Sequence, residues 1–143
     1  MKRLMMTALA LAMPLAVALP ASAENPLDVQ RLNITGHCFG GDLTGADLSQ
    51  NHLIGADLRL ADLTGANLTE ANLEVADLEG ANLTGADLTQ AFLTHANLTN
   101  ATLDEANLTE AKLYFVEIAG ASLDGVILTR AEIVETPISV GGD

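Results

Sequence analysis

A five-residue repeat dominates the sequence and limits what the chain can fold into. Residues 41–140 divide without insertion into twenty units of the type Ala-Asp-Leu-Thr-Gly, and the central position of every unit is Leu or Ile. On an α-helix each step of five turns the side chain by about 140°, and on a flat strand an odd period sends alternate side chains to opposite faces. A chain that bends after each short extended segment lets every central side chain point inward. The repeat therefore predicts an all-β solenoid.

A slower period of twenty residues predicts the number of sides. Two residues after the central position, the column that starts at Gly45 is mostly Gly, whereas the column that starts at Gln50 holds long polar side chains. Four units therefore make one turn, which predicts a four-sided coil and about five coils over residues 41–140. The predicted core consists of the central residues, namely Leu43, Leu48, Leu53, Leu58, Leu63, Leu68, Leu73, Leu78, Leu83, Leu88, Leu93, Leu98, Leu103, Leu108, Leu113, Ile118, Leu123, Leu128, Ile133 and Ile138.

The units of the type Ala-Asp/Asn-Leu-Thr/Ser-x resemble the pentapeptide-repeat family, and the resemblance covers residues 41–140. It implies a right-handed quadrilateral parallel β-helix. The segment 28–32 followed by Cys38 is similar to the lead-in of exported cyanobacterial members, in which a Cys-x-x-Cys motif often precedes the repeats. Here Gly41 stands where the second Cys would be, so the sequence offers Cys38 no partner for an intramolecular disulfide.

The first 23 residues have the pattern of a secretory signal peptide. Lys2 and Arg3 precede an uncharged apolar run, and Ala21-Ser22-Ala23 provides the small residues of a cleavage site. We expect export to the periplasm or the thylakoid lumen; the alternative is an uncleaved N-terminal anchor. Cleavage would remove Lys2 and Arg3. Four of the six basic residues would then remain against all 19 acidic residues, which gives a formal charge of −15. Such a surface repels nucleic acid and anionic membrane, so neither is expected as a partner after signal cleavage.

Residues 24–40 are predicted to cap the top coil, and residues 141–143 to form a short tail. Asn25 followed by Pro26 is typical of a helix start, and a helix to about Asn33 would lay Leu27, Leu32 and Ile34 over the first coil. Cys38 is five residues before Leu43 and so falls in register with the inward column. We interpret it as a small buried hydrophobic residue rather than a reactive thiol.

The repeat loosens at its C-terminal end, where β-branched residues replace Ala, Leu and polar residues. No capping helix is expected there, and an uncovered last coil would expose strand edges and apolar surface. Pro137 would blunt that edge by removing a backbone donor. An end-to-end homodimer is the alternative way to cover it. The candidate dimer end consists of Ile127, Ile133, Val134, Ile138 and Val140.

One side of the predicted coil differs from the other three, whose outward positions are mainly small or polar. Three of the four aromatic residues of the chain fall on it. Clustered exposed aromatic residues usually mark an interaction surface; the alternative is a set of degenerate repeats without a partner. The candidate partner surface consists of Ile54, Val75, Phe92, His95, Tyr114 and Phe115.

No pattern of a catalytic, cofactor-binding or metal site stands out, so we expect no enzyme, no cofactor and no metal. Stacked carboxylates such as Asp42 with Asp62 and Asp57 with Asp77 would raise each other's pKa or bind a cation such as Ca²⁺. The other interpretation is that these side chains bond to nearby backbone. We therefore expect an acidic, exported, non-enzymatic protein that acts as a protein-interaction or structural module. The alternative is a DNA mimic that inhibits a nucleic-acid-binding enzyme, which the signal peptide disfavours; an enzyme or a calcium-binding module comes after both.

Overall fold

Parallel β-bridges join residues that are twenty apart in the chain. The structure is a computed structural model that describes residues 25–137. The bridges run from His37↔Asp57 to Asn107↔Ile127, and each joins the residues that precede the central ones. Leu43 N–H donates to Asp62 O at 2.8 Å, and Asp62 N–H donates to Gly41 O at 2.9 Å. The predicted signal peptide, Ile138, Val140 and the tail 141–143 lie outside the described residues.

Most bridges involve a single residue pair because the chain turns a corner in every unit. Among the described residues two three-residue strands form, β1 at Lys112–Tyr114 and β2 at Glu132–Val134, and they pair in parallel. The last residue of nearly every unit has a left-handed backbone, as in Gly45 with φ of 68° and Gln50 with φ of 57°. A hydrogen bond from Ala46 N–H to Leu43 O, at 3.0 Å, closes the turn.

The outer side chains of each unit reinforce the corner. Asp62 Oδ1 accepts both the Thr64 N–H at 3.0 Å and the Thr64 hydroxyl at 2.6 Å. The same arrangement recurs at Asn67 with Thr69 and at Asp87 with Thr89. Asp or Asn before the central Leu and Thr after it are therefore explained by local bonding to the backbone, which stabilises turns of this kind.

The core is the inside of the coil, where the central residues from Leu43 to Ile118 and most of the Ala residues two positions earlier are buried. The prediction of core positions is wrong at the C-terminal end. Leu123 and Leu128 are only partly buried, and Ile133 is 40% exposed. Burial of a central residue requires a coil or the capping helix on each side, and no described coil lies beyond these three residues.

The stacked region begins earlier than predicted. Residues 36–40 already form a unit, because His37 bridges Asp57 and Cys38 N–H donates to Asp57 O at 2.7 Å. The predicted boundary at residue 41 is thus five residues late, and Cys38 is fully buried in the inward column. The count of five coils stays a prediction, since the unit 136–140 runs past the described residues.

Helix α1, Pro26–Thr35, covers the first coil. The Asn25 side chain caps it by accepting from Leu27 N–H, and Gly36 ends it with a φ of 71°. Leu32 is buried, whereas Leu27 and Ile34 are exposed, so the prediction that those two lie over the coil is wrong. They are seven residues apart and therefore share the outer face of the helix, opposite to Leu32. Within residues 25–137 no helix has both the length and the apolar character that a membrane crossing requires.

Candidate interaction surface

The side made of units 51–55, 71–75, 91–95, 111–115 and 131–135, here called the aromatic side, carries the predicted partner surface. Ile54, Val75, His95 and Phe115 are exposed on it, and Phe92 and Tyr114 are partly buried. The His95 and Phe115 rings stack with centroids 5.2 Å apart and an interplanar angle of 17°. The twenty-residue register places them in neighbouring coils.

Phe92 and Tyr114 have polar partners on the coil that follows each of them. The Lys112 ammonium lies 5.0 Å from the centroid of the Phe92 ring, a cation–π contact. The Tyr114 hydroxyl donates to the Glu132 carboxylate, which raises the pKa of Tyr114. These contacts hold both rings against the coil, so Phe92 and Tyr114 lie flat on the aromatic side and do not protrude from it.

Val75, His95 and Phe115 occupy one corner column, and all three have left-handed backbones with φ of 60°, 58° and 56°. A left-handed conformation costs a residue other than Gly roughly 1–2 kcal/mol, and it is least tolerated by β-branched and bulky residues. Val75 is nevertheless 60% exposed and Phe115 43% exposed, so core packing returns little of that cost. The same left-handed backbone occurs at the last residue of nearly every unit, so this column is distinguished by its exposed apolar and aromatic side chains, which are typical of a contact surface.

A groove of about 500 Å³ borders the aromatic side at the corner that precedes it. Phe92 and Lys112 line it together with Glu70, Gln90, Glu110, Arg130 and Glu132. Glu110 accepts from Gln90 at 2.7 Å and from Arg130 at 2.6 Å, and these two bonds lower the pKa of its carboxyl. The aromatic side therefore continues into a polar edge whose side chains are already ordered by one another.

At two of the stacked carboxylates, Asp57 and Asp47, the pKa is lowered and not raised as predicted. The pKa of Asp57 falls to about 2 because Arg59 donates to both of its carboxylate oxygens at 2.8 Å. Arg59 Nε also lies 3.6 Å from Asp77, so one guanidinium bridges two stacked acids. At Asp47 the hydroxyl and N–H of Ser49 lower the pKa. The predicted increase is thus wrong at these positions, since local donors outweigh the repulsion between coils.

No metal cluster appears among residues 25–137, where no three His, Cys, Asp or Glu side chains converge. The candidate dimer end is exposed at Ile127, Ile133 and Val134. Beside it Thr136 is buried: its hydroxyl accepts from Val116 N–H at 3.0 Å and donates to Leu113 O at 2.8 Å. The Thr136 side chain therefore provides hydrogen-bond partners for two backbone groups near the end of the described coil.

The sequence interpretation missed a second apolar patch, on the side that follows the aromatic side. Phe39 is 56% exposed and Leu60 is 59% exposed, and the Arg59 guanidinium lies 5.4 Å from the Phe39 ring centroid. Two signals in the sequence point to it. Phe39 lies in a unit that precedes the predicted start of the repeats, and Leu60 interrupts a column in which Gly40 and Gly80 are its neighbours.

Comparisons with known proteins give one consistent result. A family model described as pentapeptide repeats matches residues 42–80, 76–113 and 93–130, with 8 copies. Thirty chains of solved structure are similar. A pentapeptide repeat protein from the Arabidopsis thaliana thylakoid lumen is 34% identical with a TM-score of 0.66, over 73% of this chain and 70% of its own.

Two cyanobacterial pentapeptide repeat proteins are also similar. One, from Nostoc, is involved in heterocyst differentiation regulation; it is 33% identical with a TM-score of 0.43, over 74% of this chain and 54% of its own. The other, from Cyanothece, is 28% identical with a TM-score of 0.46, over 75% of this chain and 97% of its own. No curated protein matches the sequence.

Proposed function

The chain belongs to the pentapeptide repeat family, and from that premise we propose that it is an exported, non-enzymatic module that binds a protein partner through its aromatic side. Membership implies a right-handed quadrilateral β-helix, and proteins of this family generally act as structural or interaction modules. The partner itself is unidentified.

The observation that carries the proposal is the corner column of Val75, His95 and Phe115. These side chains are exposed, and each is held in a backbone conformation that Gly adopts at no steric cost. Elsewhere in the coil the corner positions hold either Gly, as at Gly45, or mostly polar residues in the same conformation, as at Gln50 and Glu70. Exposed apolar and aromatic side chains at these positions, where Gly or a polar residue also fits, are explained by contact with a partner.

Two observations support export. The first 23 residues have the pattern of a secretory signal peptide, and a relative that is 34% identical comes from the thylakoid lumen. The partner would then be a protein of the thylakoid lumen or the periplasm. DNA mimicry is the alternative, and it requires the protein to meet a nucleic-acid-binding enzyme in the cytoplasm.

Proximity labelling in the protein's own cell tests the proposal. The variant Phe92→Asn/Tyr114→Thr/Phe115→Gly restores residues that other units have at the same positions, so the fold should survive. Circular dichroism would verify this. We expect the variant to lose the neighbours that the wild-type protein labels, whereas the control Glu105→Gly, in a column of Gly residues, should keep them.

An unchanged list of neighbours for the triple variant would contradict the proposed role of the aromatic side. Cell fractionation addresses the location separately. Recovery of the protein in the cytoplasm together with a nucleic-acid-binding enzyme would favour the alternative.

A further inference from the structure

Phe39 and Leu60 form the walls of a second surface groove, here called the Phe39 groove, of about 300 Å³. It lies where two columns meet at a corner of the coil. Phe39, Arg59 and Glu79 belong to one column, and Leu60, Gly80 and Asn100 belong to the other. This groove is one corner away from the Val75–Phe115 column, on one of the three sides whose outward positions are mainly small or polar.

Leu60 is there against its own conformational preference. Its φ of 57° is left-handed and its side chain is 59% exposed, so neither the backbone nor burial favours a large aliphatic residue. The positions before and after it in the column, Gly40 and Gly80, hold the residue that this geometry prefers. An exposed Leu and an exposed Phe side by side therefore indicate a surface that is covered when the protein works.

The groove is already formed in the unbound protein. Arg59 donates twice to Asp57 at 2.8 Å, and its guanidinium lies 5.4 Å from the Phe39 ring centroid, which fixes that wall. Leu60 lies over Gly80, where an added Cβ would come within 2.7 Å of Leu60 Cδ2. Because the Arg59 contacts hold the Phe39 wall in place, a bound group would lose little free energy in ordering that wall.

Charge selects the kind of group that fits. One cation, Arg59, faces three carboxylates here: it donates to Asp57, lies 3.6 Å from Asp77 and lines the groove together with Glu79, so the local charge is negative. An apolar side chain would lie between Phe39 and Leu60, and a cation next to it would meet Glu79. We propose that the Phe39 groove binds a polypeptide segment in which an aliphatic residue is adjacent to Lys or Arg. This inference rests on the proposed role as an interaction module, but uses a different surface.

Fluorescence anisotropy with synthetic peptides tests the proposal on the full chain. The probe is a fluorescein-labelled peptide with two Leu-Lys pairs between Gly-Ser ends; a Leu-Glu peptide and a Ser-Lys peptide serve as controls. We expect the Leu-Lys peptide to bind best. Leu60→Gly should weaken its binding about tenfold, the effect of removing one apolar anchor, and Phe39→Thr should act similarly.

Matched variants separate this site from general attraction to an acidic surface. Glu79→Thr should weaken binding of the Leu-Lys peptide at low salt, whereas Asp62→Asn, which removes one charge from a side lined with Thr and Gly, should not. Equal effects of these two variants, equal binding of the Ser-Lys peptide, or no binding of the Leu-Lys peptide would each overturn the proposal.

The two surfaces can fail independently. Phe115→Gly should leave binding of the Leu-Lys peptide intact. Leu60→Gly should leave unchanged the set of proteins found by proximity labelling, which is attributed to the aromatic side. Loss of peptide binding in Phe115→Gly would place the peptide outside the Phe39 groove and refute the inference. Loss of labelled neighbours in the Phe92→Asn/Tyr114→Thr/Phe115→Gly variant bears only on the aromatic side.

Discussion

Val75 and Leu73 lie two residues apart in one unit, yet replacing Leu73 should destabilise the fold strongly whereas replacing Val75 should hardly change its stability. Leu73 is fully buried, so Leu73→Ala should cost about 2–5 kcal/mol of unfolding free energy. Val75 is 60% exposed, so its buried part contributes only about 0.6–1.2 kcal/mol, a share of the roughly 1.5–3 kcal/mol for a fully buried side chain.

Two further effects act when Val75 becomes Gly. Relief of the left-handed backbone, with φ of 60°, returns about 1–2 kcal/mol. The greater freedom of Gly in the unfolded chain costs about 0.5–1 kcal/mol. These contributions nearly cancel, so Val75→Gly should change the unfolding free energy by less than about 1 kcal/mol.

Urea unfolding followed by far-ultraviolet circular dichroism measures both variants, and the chain contains no Trp for a fluorescence signal. A loss of more than about 2 kcal/mol in Val75→Gly would show that Val75 stabilises the fold by packing. The reasoning that assigns this column to partner contact would then be refuted.

Three other predictions concern the acid pair, the open end and the lone thiol. Since Arg59 lowers the pKa of Asp57 to about 2, the wild-type protein should lose this stabilisation as the pH falls from about 4 to 2, and Asp57→Asn should not; equal pH dependence in urea unfolding would contradict this. We propose an end-to-end homodimer that Val134→Lys dissociates in sedimentation velocity, and a wild-type monomer at micromolar concentration would end that proposal. A Cβ on Gly41 would overlap Cys38 Sγ, so the two positions are adjacent; after rotation of the Cys38 side chain, Gly41→Cys should form a disulfide worth about 2 kcal/mol under an added oxidant, and two titratable thiols in the oxidised, unfolded variant would contradict it.

The register of the coil could be predicted from the sequence because the two periods leave one arrangement that turns every central Leu inward. The bridge His52↔Asn72 and the burial of Leu73 follow directly from it. The exposure of Ile133 could not be predicted from its unit, because burial of a central residue depends on a neighbouring coil rather than on its own five residues.

The candidate sites were harder to predict for a related reason. The aromatic side could be predicted because its residues depart from the repeat. Phe39 was missed because the central residue of its unit is Cys38, and the run of central Leu residues starts only in the next unit. The pKa of Asp57 depends on Arg59, two residues further on. Residues two apart in an extended segment share a face, so the contact between Asp57 and Arg59 could have been predicted from their spacing.

The twenty-residue register makes distances along the axis of the protein countable. Each coil adds one strand spacing of about 4.8 Å, so a whole-coil insertion would lengthen the molecule while leaving every side in the same direction. An insertion after Gly80, for example, would move Phe115 away from Leu60 by that spacing without changing which way either points. A protein built in this manner can adjust the separation of two contact surfaces in equal steps, by the gain or loss of twenty residues, while both surfaces keep their composition.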